Sequence, residues 1–527
     1  NRKNNLNFLI GTEAVTNTTL YTSETQQNFP TQIPSLEFLG NGISMPITTE
    51  SEQQWALLSF LANANYSYDN EFFVTGSARR DGSSRFGPSN RWGNFFSGAV
   101  AWNIANEQWF TDKFPIVSRL KLRASYGQLG NQNIGGDYPW ASIVGTSITS
   151  SNVKNYVFGS PSIVVQGNTI STLGNANVKW ETSTQSDVGM DLAILRDKLS
   201  LTVDYFDKVN SNMLVAVPLP MIGGTASAPF VNDGSVQNKG FEFDLQYKNA
   251  DHRLKYSFGA NLATIQNKVL SIPVPIQGGR IDNGVYATLT TAGHPIGSFY
   301  GYQMSGIFQN ANDIFTSAYQ GPGVRPGDVK YKDVNGDGKI DANDRTFLGS
   351  AIPKFTYGAT STLSYQNFDL FVLFQGGYGN KIYLQVNQDI EGFYRPFNLT
   401  KRVYDTRWHG EGTSNTMPLV SWLDQPNNIK EPSSRFLEDA SYCRLKNVQL
   451  GYTLPKDLTN RLHIKSLRFY VTGTNLITIT KYTGLDPEMY ISNNVKAEQY
   501  QSDVAAGIDW GTYPAARSYI LGANLNF

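Results

Sequence analysis

Segment after segment of this chain alternates apolar and polar residues with a period of two, the mark of β-strands with one apolar and one wet face. In the stretch LKYSFGANLA, Leu254, Tyr256, Phe258, Ala260 and Leu262 fall on one face, and Lys255, Ser257, Gly259, Asn261 and Ala263 on the other. The same division sets Leu58, Phe60, Ala62, Ala64 and Tyr66 against Ser59, Asn63, Asn65 and Ser67. It sets Phe241, Phe243, Leu245 and Tyr247 against Glu242, Asp244 and Gln246, and Leu120, Leu122, Ala124 and Tyr126 against Lys121, Arg123 and Ser125. In the last segment Tyr519, Leu521, Ala523, Leu525 and Phe527 oppose Ser518, Gly522, Asn524 and Asn526. Runs of this kind predict an all-β chain of about fourteen strands.

A soluble sandwich also alternates, so the connections have to discriminate. Tight ones fall near 66–70, 194–198, 248–252, 364–368 and 454–464, and long ones near 131–177, 211–235, 268–351, 379–438 and 478–511. Short turns at one end and long loops at the other predict a transmembrane antiparallel β-barrel with long extracellular loops. Strands of about ten or more residues suit a tilted membrane crossing. A propeller, with similar blades every 40–50 residues or so, does not fit such unequal loops. The end of the chain, ILGANLNF, places aromatic Phe527 on an alternating strand and resembles the assembly signal of outer-membrane barrels; the plain alternative is a buried core residue. With Phe527 periplasmic, every long loop lies outside.

Charge narrows the partners. The chain of 527 residues has 43 basic and 43 acidic side chains and is only 16% charged, so it lacks the basic stripe a nucleic-acid binder presents to phosphates. The single cysteine, Cys443, excludes intrachain disulfides, a Cys-ligated zinc site and a CxxC redox pair. No run of 18 apolar residues predicts a spanning helix. The opening NRKNNLNFLIGTEAV has no apolar signal region, so the expectation is a cytosolic chain or one that has lost its leader.

Within the long 268–351 connection, DVNGDGKIDANDR has the spacing of an EF-hand-type calcium loop over 333–344: Asp333, Asn335, Asp337, the Lys339 carbonyl, Asp341 and Asp344 as ligands, with Gly338 at the turn. Asp344 replaces the longer bidentate Glu, which resembles dockerin-type loops. The flanks RPGDVKYK and RTFLG do not read as paired helices, so the expectation is an isolated structural calcium site that pins the loop against its conformational entropy. The alternative is an Asx-rich turn satisfied by its own backbone. No catalytic pattern competes. His252, His294, His409 and His463 form no HExxH or short metal pair, and no GxSxG, Walker or GxGxxG motif occurs. QGGYGN (375–380) reads as a strand end, because no helix follows to bind phosphate. The chain is not expected to be an enzyme.

A set of longer stretches carries a family resemblance: RRDGSSRFGPSNRWGNFFSGAVAWNI, LKLRASYGQLGNQNIG, VKWETSTQSDVGMD, DYFDKVNSNML, GSVQNKGFEFDL, GSFYGYQMSGIFQ, SSRFLEDASYCRLKNVQLGYTLP and TGTNLITITKYTGLDPE. In order and over nearly the whole chain, they resemble the carboxy-terminal barrel of SusC/RagA-type TonB-dependent transporters of the Gram-negative outer membrane. The resemblance implies that residues 1–527 supply about 14 of about 22 strands, the missing amino-terminal portion holding the plug and TonB box. It also implies active import of an oligosaccharide or oligopeptide, TonB as energy source, a SusD-like surface lipoprotein as lid, and dimers of such pairs. The polar lumen is then expected to carry Asp204, Glu242, Asp244, Lys121 and Arg123, and outer-membrane lipid to meet the apolar face. Trp92, Trp102, Trp109 and Tyr126 are candidates for interfacial girdles, with ordinary loop packing as the alternative. Substrate-binding residues cannot be picked from spacing. The readings from other classes are a passive porin or adhesin barrel and a secreted calcium-dependent glycan-binding β protein.

Overall fold

The computed structural model describes residues 3–527 except 32, 135, 146–155, 162, 166, 218–227, 283–284, 394, 396, 422–431, 462 and 490–502. The alternating segments form one antiparallel path of fourteen strands, each beside its sequence neighbour. In order these are β1 (Asn4–Thr25), β2 (Ile47–Tyr68), β3 (Phe72–Ser83), β4 (Trp92–Asn103), β5 (Val117–Asn131), β6 (Glu181–Ile194) and β7 (Leu199–Ala216). Then follow β8 (Phe230–Asn249), β9 (Leu254–Thr264), β10 (Phe355–Tyr365), β11 (Phe368–Tyr378), β12 (Tyr442–Thr453), β13 (Ser466–Thr480) and β14 (Ser518–Asn526). An extra short strand, Gln266–Ser271, pairs with β8 off this path. No helix among the described residues is long and apolar enough to cross a membrane.

Register follows the alternation. Leu245 faces Ala260 and Phe243 faces Leu262 across β8 and β9, while Lys248 faces Ser257, so apolar and polar faces stay separate from strand to strand. The apolar face is the exposed one: Phe60, Phe258, Phe469 and Leu521 are 50%, 48%, 49% and 83% accessible. Such a surface fits a chain whose surroundings are themselves apolar.

The tight turns have a local chemistry. Between β2 and β3, Asp69 and Asn70 sit at φ 48° and 57°, a left-handed conformation that short Asx side chains tolerate. Leu195, Arg196 and Asp197 hold positive φ between β6 and β7, where the Leu195 amide donates to the Ile116 carbonyl at 3.0 Å and the Asp197 amide to Ser118 Oγ at 3.1 Å.

Two readings of the connections need revision. The β7–β8 connection is only 217–229, because both strands run further than the 211–235 loop expected from the polar residues there. The 268–351 segment is no irregular loop: it contains a four-stranded sheet of Ile276–Asp282, Val285–Thr290, Ser298–Tyr302 and Arg345–Gly349. Met304–Ile307 and Val329–Tyr331 form a further pair. These strands are short, so their alternation is too brief to stand out from the surrounding turn residues.

The chain divides into two compact units. One comprises Asn1–Val100, Ser125–Gln185 and Asn210–Ser235, and the other Ala101–Ala124, Ser186–Val209 and Val236–Phe527. The first has a core of Phe86, Phe95, Ile134, Val178 and Trp180, with the Trp180 ring 4.9 Å from Phe86 and 5.5 Å from Phe95. The second has its largest core in the folded loops, built on Ile281, Phe299, Tyr383, Phe436 and Ile508.

Candidate functional site

Three long connections of the second unit, 265–354, 379–441 and 481–517, fold into one assembly. Lys381–Leu384 is the middle strand of three: it pairs antiparallel with Leu437–Asp439 and parallel with Ile508–Asp509. Thr288 Oγ1 donates to the Val504 carbonyl at 2.5 Å, and the Tyr302 amide to the Pro432 carbonyl at 2.8 Å. Apolar residues from all three connections share one core, which holds the assembly in place.

Around this core lie buried charges. A cavity of about 260 Å³ is lined by Glu391, Arg402, Arg435, Phe436, Glu438 and Asn387 among others. The Glu391 side chain is only 3% exposed, and both its oxygens accept from Arg402, one also from Thr400 Oγ1 at 2.6 Å. This carboxylate raises the pKa of Arg402. Burial lowers the Arg435 guanidinium to about 10; it lies over Phe393 and Phe436 and donates to the Glu391 carbonyl at 2.7 Å. Nearby, Arg444 donates to Asp486 at 2.5 Å and Glu488 at 2.6 Å, and Lys446 to Glu488 at 2.7 Å. Tyr482 donates to Asp509 at 2.6 Å, and burial followed by that carboxylate pushes its pKa far above the usual phenol range.

The 333–344 loop closes on itself. Asp333 accepts from the Gly336 and Gly338 amides at 2.6 and 2.8 Å, Asn335 from Asp337 at 3.0 Å, and Asp337 from Lys339 at 3.1 Å. Asp344 is fully buried and accepts from Val334 at 2.9 Å and Asp341 at 2.7 Å. The Lys339 ammonium, whose carbonyl the calcium reading assigns as ligand, lies 2.7 Å from Asp341, an attraction that lowers the Asp341 pKa. Gly336 and Gly338, at φ 77° and 84°, permit the winding. Ile340, inside the loop, packs with Tyr302, Ile307, Val329 and Tyr331. The spacing thus builds the acid-lined turn, in which backbone amides and Lys339 already satisfy many of the oxygens. Among the described residues no group of three or more His, Cys, Asp or Glu side chains is gathered to hold an ion.

On the polar face, Arg123 is shared by Asp204 at 2.6 Å, Asp191 at 3.4 Å and Asp187 at 3.6 Å, so it and Asp204 are brought together. Lys121 and Asp244 are half-buried and Glu242 exposed. Trp109 and Tyr126 are exposed, and Trp92 is 39% accessible under the Arg80 guanidinium. Trp102 instead donates to Glu107 at 3.1 Å. Phe527 follows β14 and is exposed, which sets aside the buried-core alternative.

Glu391, Arg402, Arg435, Arg444 and Asp486 were not singled out from the sequence, because their partners are distant and form no short motif. Arg435, Arg444 and Asp486 nevertheless lie inside SSRFLEDASYCRLKNVQLGYTLP and TGTNLITITKYTGLDPE, two of the stretches that carry the family resemblance.

Comparison with known proteins decides the family. The model described as TonB dependent receptor-like, beta-barrel matches residues 2–476. The chain belongs to the TonB-dependent receptor β-barrel family. It is 32% identical over 478 residues to TonB-dependent receptor P3 of Formosa agariphila, covering 89% of this chain and 45% of that protein. It is 27% identical over 479 residues to TonB-dependent receptor SusC of Bacteroides thetaiotaomicron, covering 89% and 44%. The solved RagAB peptide transporter matches the fold with a TM-score of 0.80 at 24% identity, over 100% of this chain and 54% of that one. The chain therefore spans about half the length of the relatives it matches. As an outer-membrane TonB-dependent receptor barrel of the SusC/RagA type, it turns its apolar face to lipid.

Proposed function

We propose that this chain forms the carboxy-terminal barrel part of a TonB-dependent importer that moves a large nutrient, an oligosaccharide or oligopeptide, across the outer membrane. The observation that carries the reading is the barrel-family match over residues 2–476. The likeness to SusC supports an energised transport role, and the fold of RagAB supports a lipoprotein partner of SusD type seated on the extracellular loops. In this reading TonB acts through a plug carried by the rest of the protein, and importer and lipoprotein associate as pairs and dimers of pairs. The folded loops suit such docking, because their own core keeps a partner-facing surface pre-shaped and lowers the ordering cost of binding. The chain acts by binding and conducting, with no chemistry on the substrate. Phe527 serves as the assembly signal, and Asp333, Asn335, Asp337, Lys339, Asp341 and Asp344 hold a structural calcium ion. The spacing of Asp and Asn oxygens around the Gly338 turn is a donor set suited to that hard cation.

The test deletes the encoding gene in its host and measures uptake of labelled oligosaccharides and oligopeptides, with the intact gene restored and TonB present or inactivated. Uptake that needs both the gene and TonB is expected. Uptake that persists without TonB overturns the importer reading in favour of a passive pore.

A further inference from the structure

A second cavity, of about 370 Å³, lies at the end of the sheet that carries the short turns. Arg196, Lys198, Lys248 and Lys255 line it, and Asp251 is its one carboxylate. Lys198 is paired with Asp251, while Arg196, Lys248 and Lys255 have no ion-pair partner among the described residues. Asp197, in the same turn as Arg196, is engaged instead by Ser118 at 2.9 Å.

The register fixes which face these cations occupy. Lys248 stands opposite Ser257, Ser257 opposite Thr362, and Lys255 opposite Ser364, so Lys248, Lys255 and three hydroxyls share the polar face of β8, β9 and β10. The two rows are about 7 Å apart, the repeat of same-face residues along a strand. Leu254 and Phe258, exposed on the opposite face of β9, are the lipid-facing neighbours.

We infer that this cavity is a docking site for an acidic stretch of polypeptide reaching the polar face from the periplasmic end. The placement excludes a lipid headgroup, because the cations turn away from the side that meets lipid. The spread favours a peptide over a single phosphate: cations on one turn and two strands match carboxylates repeated along a chain better than one compact anion. Flanking Ser257, Thr362 and Ser364 hydroxyls offer donors to the same carboxylates. The inference is independent of the nutrient that is carried.

The test uses the intact protein in detergent and fluorescence anisotropy of a labelled hexaglutamate peptide, with inorganic phosphate and phosphatidylglycerol nanodiscs as competitors. The expected result is saturable binding that weakens with salt and falls about tenfold in Lys248→Gln/Lys255→Gln. Arg196→Gln, at an exposed turn, gives a second variant that leaves the strands untouched and is expected to weaken binding in the same direction. Heat-modifiability on gels confirms that each variant is folded. No peptide binding, binding unchanged in folded variants, or complete displacement by phosphate or by the anionic lipid overturns the inference.

Discussion

Arg444 Nη2 lies 2.5 Å from Asp486 Oδ1, and the Arg444 side chain is 4% exposed. The contact ties β12 to the connection that leads into β14. Burial pushes the Asp486 carboxyl up, but hydrogen bonds from Arg444 and from the Ala515 and Glu488 amides outweigh it and hold its pKa below the usual 3.8. A carboxyl with a depressed folded pKa contributes stability above its unfolded value and loses it as pH falls through the folded one. Hydrogen exchange at the Ala515 amide is therefore expected to be slow at neutral pH and to quicken only below pH 3.8. Asp486→Asn leaves the buried guanidinium with Glu488 as its remaining carboxylate partner, at a cost of about 1–3 kcal/mol, and its Ala515 amide should exchange faster than the wild-type amide at neutral pH. Slow exchange in that variant counts against the role assigned to the pair.

The assignment of faces predicts opposite outcomes for two positions three residues apart on β9. Phe258 is 48% exposed on the apolar face, and Asn261 points to the polar side. Phe258→Arg should destabilise the folded protein in lipid by about 2–4 kcal/mol if it lies near the bilayer midplane, whereas Asn261→Arg should cost under about 1 kcal/mol. Urea midpoints in liposomes make the comparison, and equal losses sink the assignment.

Much of this fold was legible because the strands are long. A period of two repeated over β2 or β8 leaves little choice of face, and turns such as Asp69–Asn70 mark where a strand ends. The folded loops were not, since strands such as Lys381–Leu384 are four residues long and draw their partners from Leu437–Asp439 and Ile508–Asp509, far away in sequence. The same distance hid Glu391 and Arg402, which mean nothing separately and form a buried pair only once the connection folds back. The acidic loop shows the reverse case. Its Asp, Asn and Gly spacing builds a turn in which Asp333, Asn335 and Asp337 accept backbone amides, while the position of the Lys339 ammonium beside Asp341 depends on a side-chain rotamer that spacing does not encode.

The proposed calcium site has a direct check. Isothermal titration of the intact protein with calcium alone should give one weak site that disappears in Asp333→Ala/Asp337→Ala. Calcium must displace the Lys339 ammonium from Asp341, so Lys339→Met is expected to tighten binding several-fold. The apolar contacts of Ile340 keep the segment folded either way, so barrel stability should hardly move. A wild-type titration with no heat of binding removes calcium from the account.

The Glu391–Arg402 pair decides how the 379–441 connection is held. Glu391 is 3% exposed while Arg402 is 42% exposed, so the two partners differ in what their loss leaves behind. Arg402→Ala takes from the buried carboxylate the cation that both its oxygens accept from, leaving Thr400 Oγ1 as one remaining donor, and is expected to cost about 3–5 kcal/mol. Glu391→Gln frees Arg402 to reach water and the nearby Glu438, and should cost less. Replacing both, as Glu391→Leu/Arg402→Leu, should recover most of the loss, because an apolar pair beside Phe436 and Met417 needs no desolvated charge. Limited proteolysis of the connection, read as the rate of cleavage in the folded protein, ranks the three variants. If Arg402→Ala is cleaved no faster than the double variant, the pair is not what holds the connection, and the apolar core around Tyr383 and Phe436 does so alone.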